Sequence, residues 1–187
     1  DSKPWKRHVF ADRDAPGGTH YTGIADVNGD GLPDICCGAK GGPGFDGGEW
    51  FAWWEQLPDQ AEPWKKHLLA ANQPGATNIQ PLDVNQDGTM DFVATRGHGQ
   101  GVLWFRGPEF TMLEIDSEIE GPHCLVLVDL DEDGDVDVAT CGKEPGGLAV
   151  WYANDGDGNF VRHEVGSNQG AYDIRAVDMD GDHDLDL

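Results

Sequence analysis

Residues 26–34 read Asp26-Val-Asn-Gly-Asp-Gly-Leu-Pro-Asp34, and the chain repeats this nine-residue stretch three more times. The copies are Asp83-Val-Asn-Gln-Asp-Gly-Thr-Met-Asp91, Asp129-Leu-Asp-Glu-Asp-Gly-Asp-Val-Asp137 and Asp178-Met-Asp-Gly-Asp-His-Asp-Leu-Asp186. Their starts at 26, 83, 129 and 178 lie 57, 46 and 49 residues apart, the spacing of a four-stranded propeller blade. The longer first interval has a visible source in the Gly-rich insertion Gly41-Gly-Pro-Gly-Phe-Asp-Gly-Gly48.

Apolar runs enter and leave each loop in phase. YTGIAD, NIQPLD, CLVLVD and DIRAVD lead in, and LPDICCG, MDFVATR and VDVATCG lead out, so each loop reads as the turn of a β-hairpin. A third run follows a glycine and carries an aromatic pair: Trp53-Trp54, Trp104-Phe105 and Trp151-Tyr152. A fourth run, WKKHLL or FVRHEV, matches the opening WKRHVF. No amphipathic helix appears. The expected fold is all-β: a propeller of four-stranded antiparallel blades, about three and a half in this chain. The expected divisions are an outermost strand over 1–18, blade 1 over 19–70, blade 2 over 71–116, blade 3 over 117–166 and the first half of blade 4 over 167–187.

Alternating oxygen ligands with a glycine at the sixth position suit a hard, large cation such as calcium, whereas zinc favours nitrogen or sulfur. The expected cofactor is therefore three or four structural Ca²⁺ ions. Side chains of the first, third, fifth and ninth positions and the backbone carbonyl of the seventh are the expected ligands. In the first loop these are Asp26, Asn28, Asp30, Leu32 and Asp34, and in the second Asp83, Asn85, Asp87, Thr89 and Asp91. The third offers Asp129, Asp131, Asp133, Asp135 and Asp137, and the fourth Asp178, Asp180, Asp182, Asp184 and Asp186. An EF-hand is excluded because its twelfth-position glutamate is replaced by Cys37, Ala94 and Thr140 and because the flanks read as strands. Acidic surface turns are the competing reading, since Asp, Asn and Gly dominate turns in general. In the fourth loop His183 replaces the glycine, and affinity there is expected to be lower.

With 12 Lys+Arg against 35 Asp+Glu, the net charge of −23 argues against nucleic acid or an anionic membrane as partner. No run is long enough to span a bilayer and no signal peptide is visible. The first residue is Asp1, which suggests a processed or excised product. Cys124 and Cys141 flank the third loop symmetrically and would face each other across a hairpin, as a disulfide in an oxidising compartment or as two buried thiols. Cys36 and Cys37 should point to opposite faces of one strand and pack.

The four loops with their strand flanks resemble the FG-GAP/VCBS repeat family of β-propellers, to which the blades of integrin α-subunits belong. The resemblance implies that each loop joins the innermost strand of a blade to the second, that the metal sites share one face, and that the protein is secreted or on the cell surface. More faintly, THYTGIADVNGDGLPDI with GGEWFAWWEQ and WKKHLL is similar to propellers of the aldos-2-ulose dehydratase type, and other calcium-bearing propellers are polysaccharide lyases.

If the loops mark one face, the starts of the innermost strands and the turns after the second strands meet on the other. Six residues before each loop stand His20, Thr77, His123 and Tyr172; after the second strands come Lys40, Arg96 with His98, and Lys143. His20, His98, His123 and Tyr172 are the candidate catalytic residues. Lys40, Arg96, Lys143 and Trp50, the last expected to be an exposed stacking surface beside the insertion, are the candidate ligand-binding residues. Imidazoles, lysines and a tyrosine could bind sugar hydroxyls or a uronate, abstract a proton beside a carboxylate or keto group, or hold a second metal. Shared ancestry of the repeats would equally make His20 and His123 scaffold. His8, His67 and His163 recur in the outermost-strand pattern and read as structural.

The expected partners are thus carbohydrate or an extracellular protein, with a sugar lyase or dehydratase as the alternative activity. A third possibility is assembly. A lone opening strand and an incomplete last blade would leave a sheet edge unpaired, to be met by closure within the chain, a two-chain ring, a head-to-tail filament or a longer parent protein.

Overall fold

The computed structural model describes residues 7–59 and 62–187. Its strands fall into three four-stranded antiparallel sheets, each in sequential order. The first holds β1 (Gly18–Ala25), β2 (Asp34–Lys40), β3 (Trp50–Glu55) and β4 (Lys65–Ala71). The second holds β5 (Asn78–Leu82), β6 (Asp91–Thr95), β7 (Gln100–Arg106) and β8 (Thr111–Glu120). The third holds β9 (Val126–Val128), β10 (Asp137–Cys141), β11 (Ala149–Asn154) and β12 (Phe160–Gly166). No helix is present among the described residues. This is the all-β, partial propeller of about three blades that the repeat predicts, with each aspartate loop turning the innermost strand into the second.

Both ends differ from the expected layout. Of the outermost strand expected over 1–18, residues 1–6 lie outside the described residues and 7–17 carry no strand. The half-blade over 167–187 reduces to one bridge, between Val177 and Asp186. Strand β8 runs on to Glu120, across the expected division between 116 and 117.

Strand alternation explains how the sheets stack. In β2, Cys36 joins Phe51, Trp53, Ile79, Phe92, Leu103 and Phe105 between blades 1 and 2. Its neighbour Cys37 joins Trp50, Ala52 and Trp54 on the opposite face. In β7, Leu103 and Phe105 face blade 1 while Val102 and Trp104 pack with Val138, Val150 and Tyr152 of blade 3. Strands buried on both faces read as continuous apolar runs, which is why the aromatic pairs resist a period-two pattern. The recurrent histidines are packing devices: His67 stacks on Trp53 with ring centroids 4.1 Å apart, and His163 on Trp151 at 4.5 Å.

Candidate functional site

At one end of each blade the aspartate loops repeat one hydrogen-bonding scheme. The ninth-position carboxylates Asp34, Asp91 and Asp137 are fully buried. One oxygen of each accepts from the backbone N–H of the second loop position, Val27, Val84 or Leu130, at 3.0, 3.1 and 2.9 Å. The other accepts from a backbone N–H at or just past the end of the third strand, Gln56 at 2.9 Å, Gly107 at 2.6 Å or Asn154 at 2.9 Å. Each carboxylate therefore staples its loop to the far side of its own blade. Burial raises the pKa of all three, and these backbone bonds oppose it.

The remaining loop geometry comes from backbone turns. The sixth positions Gly31, Gly88 and Gly134 have φ of 85°, 84° and 99°, and His183 is held at 83°. The fourth positions are also left-handed: Gly29, Gln86, Glu132 and Gly181 have φ of 76°, 54°, 60° and 82°. Sequence reasoning identified the sixth position and missed the fourth, where only two of the four copies carry glycine. First-position carboxylates curl onto the loop backbone; Asp26 accepts from Gly29, Asp30 and Gly31 at 2.8–3.0 Å.

Do these residues fit a cation? Asp129, Asp131 and Asp137 each bring a carboxylate oxygen within 4.8 Å of the others, as do Asp178, Asp180 and Asp186. Asp129 Oδ1 and Asn85 Oδ1 are buried and accept no hydrogen bond. An all-oxygen set with orphaned acceptors suits calcium, whose charge would relieve the crowded carboxylates.

At the opposite end of the blades, residues from all three converge. His20 comes from β1, His98 from the turn between β6 and β7, and His123 from just before β9. Their ring centroids are 5.0–5.6 Å apart. Tyr172 adds its ring 4.9 Å from His123. Two backbone devices bring these side chains together. In the pairing of β1 with β2 the register shifts between Thr19 and Thr22, so His20 and Tyr21 bulge opposite Gly38. In a regular strand they would point to opposite faces; with the bulge both approach His123, Tyr21 placing its hydroxyl 3.4 Å from Nδ1. The second device is Gly97, where a Cβ would sit 2.7 Å from His123 Cα and 2.9 Å from Pro122 O, so only glycine lets the His98 turn nest there. Thr77, the matching residue of blade 2, is buried and spends its hydroxyl on Gly75 O. His98 takes its place in the cluster.

Desolvation by partial burial pushes the His98 pKa down to about 4, with Lys40, His20, His123 and Lys143 adding repulsion. His123 is lowered for the same reasons, burial first and His20 next, against a raising backbone hydrogen bond at Tyr172. Both are neutral at pH 7. Lys40 lies over the Phe45 ring of the insertion, its Nζ 4.5 Å from the centroid, and Lys143 pairs with Glu144. An open groove of about 540 Å³ beside His98 is lined by Arg96, Gln100, Ser117, Glu120 and Glu144.

Two of the expected ligand-binding residues are committed elsewhere. Trp50 is not an exposed stacking surface: it is only 5% exposed. Its Nε1 donates to Pro16 O and Gly47 O at 2.9 and 3.0 Å, and Lys66 Nζ sits 4.2 Å above the ring. The insertion closes over it. Arg96 spends its guanidinium on Gln73 Oε1, at 3.1 and 2.7 Å, and on Glu114, at 3.2 Å. Tyr21 joins the cluster without having been singled out in the sequence, since period-two reasoning turns it away from His20.

A family model for the FG-GAP-like repeat matches residues 26–94, 83–140 and 129–187. Each match opens on the first aspartate of a loop. A search of curated proteins finds no match to the chain. Overlapping without a gap from Asp26 to Leu187, the three repeat matches cover most of the chain, and the protein belongs to the FG-GAP-like repeat family.

Proposed function

We propose that this protein is a calcium-stabilised, extracellular β-propeller segment that binds carbohydrate at the opening opposite its aspartate loops. The observation that carries the reading is the gathering of His20, His98, His123, Tyr21 and Tyr172 from separate blades at one end. Aromatic and imidazole rings offer stacking faces with hydrogen-bonding edges, the combination a sugar ring takes. Lys40 and Lys143 nearby favour an acidic sugar over a neutral one. Calcium would act at the other end, holding the loops, and would take no part in recognition.

Isothermal titration with neutral and uronate-bearing oligosaccharides, in millimolar calcium, tests this. Binding that is lost in a His20→Ala/His123→Ala double variant with an unchanged melting curve supports the site; binding that persists in that variant refutes it.

A lyase or dehydratase is the second reading, favoured by the contact between Tyr21 hydroxyl and His123. A neutral imidazole can take a proton beside a carboxylate or carbonyl while a phenol serves a leaving group. Formation of unsaturated products from uronate polysaccharides supports it, and silence across a broad panel rejects it.

A further inference from the structure

His20 and His98 reach each other from separate blades. Their Nε2 atoms face each other at 3.3 Å. His20 Nδ1 lies 2.9 Å from Gly18 O, a carbonyl that can only accept, so this nitrogen carries the proton when the ring is neutral. The Nε2 lone pair of His20 is then bare and aimed at His98. Two lone pairs do not hold each other at 3.3 Å. Either His98 Nε2 supplies a proton, or a shared Lewis acid belongs between them.

Three features favour the second. His123 completes the group, and all three residues offer a ring nitrogen within 4.8 Å of the others. Two nitrogens bound tetrahedrally to one zinc-sized ion, at about 2.0–2.1 Å each, stand about 3.3–3.4 Å apart, the separation seen here. The outer contacts are those a metal-bound imidazole keeps: a backbone carbonyl on the far nitrogen of His20 and the Tyr21 hydroxyl at Nδ1 of His123. His98 is exposed, so the fourth direction opens to solvent rather than into the core.

We propose that His20, His98 and His123 form a three-imidazole site for a divalent transition-metal ion of the zinc class, with a fourth position open to an anionic ligand. The site is chemically distinct from the aspartate loops, which offer oxygen alone; softer nitrogen donors select zinc, copper or nickel over calcium. It does not depend on the carbohydrate reading. Lys40 and Lys143 repel the bare dication and reward an anion that neutralises it, so the open position should prefer a carboxylate to water.

Cobalt(II) titrated into the full chain in saturating calcium, which fills the oxygen sites, reports geometry through visible absorption; zinc competition then gives affinity. The expected result is one equivalent per chain with the intense bands of four- or five-coordinate cobalt. Those bands survive in Cys124→Ser/Cys141→Ser, which removes the thiol pair that begins at the residue after His123. Zinc affinity falls more than about tenfold in His98→Ala and in His98→Gln. His98 sits on an exposed turn, and equal thermal melts of wild type and variant verify the fold. Absence of stoichiometric binding, binding that survives both His98 variants, or binding that disappears with the cysteines overturns the proposal.

Discussion

Replacing Asp137 by alanine separates two roles that one side chain holds in the third loop. Its oxygens accept from Leu130 N and Asn154 N at 2.9 Å each, and the carboxylate is fully buried. A hydrogen bond to a charged group contributes about 1.5–3 kcal/mol, and losing two leaves two donors unpaired. Burial raises the Asp137 pKa, so removing the carboxylate also recovers part of its desolvation cost. The net expectation is a loss of about 2–4 kcal/mol, or roughly 5–15 °C in melting temperature for a chain of this size. This loss should appear even in chelator, because the staple needs no metal. Asp129→Ala is the control. Asp129 accepts one exposed bond, from Gly134 N at 3.1 Å, and its Oδ1 is orphaned. In chelator it should cost no more than about 1 kcal/mol. In calcium it should lose the third loop's share of the metal's stabilisation, about 2.7 kcal/mol if calcium stands at a hundred times its dissociation constant. Denaturant melts of wild type and both variants, each with chelator and with calcium, give all six numbers. A chelated Asp137→Ala protein as stable as chelated wild type refutes the staple. An undiminished calcium increment in Asp129→Ala refutes the ligand assignment.

Other perturbations follow from the same geometry. His183→Gly removes a left-handed non-glycine residue at φ 83° and should stabilise the fourth loop by about 1 kcal/mol and tighten its calcium affinity; weaker binding in a calcium titration refutes this. Asp116 is buried, which raises its pKa, but bonds from Glu118 N, Tyr152 hydroxyl and Ile119 N with the Arg162 ion pair outweigh burial and hold it below the usual carboxylate range. Its contribution is therefore complete above an unfolded pKa of about 4 and lost as pH falls through the lower folded value. Asp116→Asn should flatten the acid limb of stability against pH, and an unchanged limb would count against it. Cys124 and Cys141 hold their sulfurs 3.3 Å apart as thiols, and the Cys141 hydrogen bond lowers the Cys124 pKa from the usual thiol value. Mild oxidation should link them, read as loss of alkylation at both sites; two alkylated thiols after oxidation refute the pairing.

The loops were legible because their requirements are local. Alternating aspartates, a left-handed glycine and apolar flanks are properties of nine to twenty consecutive residues, and four copies expose the period. The gathering of His20, His98, His123 and Tyr172 could be read only by overlaying the repeats. Matched positions account for His20, His123 and Tyr172, whereas His98 comes from the turn after β6 and stands where the matched Thr77 does not reach. The reading failed where a residue's fate depends on a non-local partner. Nothing near Trp50 announces that Pro16 O will accept its indole N–H, and nothing near Arg96 reveals that Gln73 and Glu114 await it. Tyr21 was missed because a bulge, invisible to period-two reasoning, turns it toward His123.

One hairpin carries both ends of blade 1. In blade 1 the loop begins at Asp26 and the axial cluster at His20, so β1 spans both; six residues at about 3.3 Å each place them roughly 20 Å apart. Asp34 ties the loop to Gln56 beyond β3, while Gly38 of β2 lies opposite the bulge that aims His20 and Tyr21. A loop loosened by loss of its cation would relax the hairpin that sets the bulge. Metal at the aspartate end would therefore govern the precision of the imidazole end without contacting it. Chelation should weaken whatever binds at the axis in proportion to lost stability, and calcium-independent axial binding would show that the bulge, with Gly97 and Gly38, holds the cluster by packing alone.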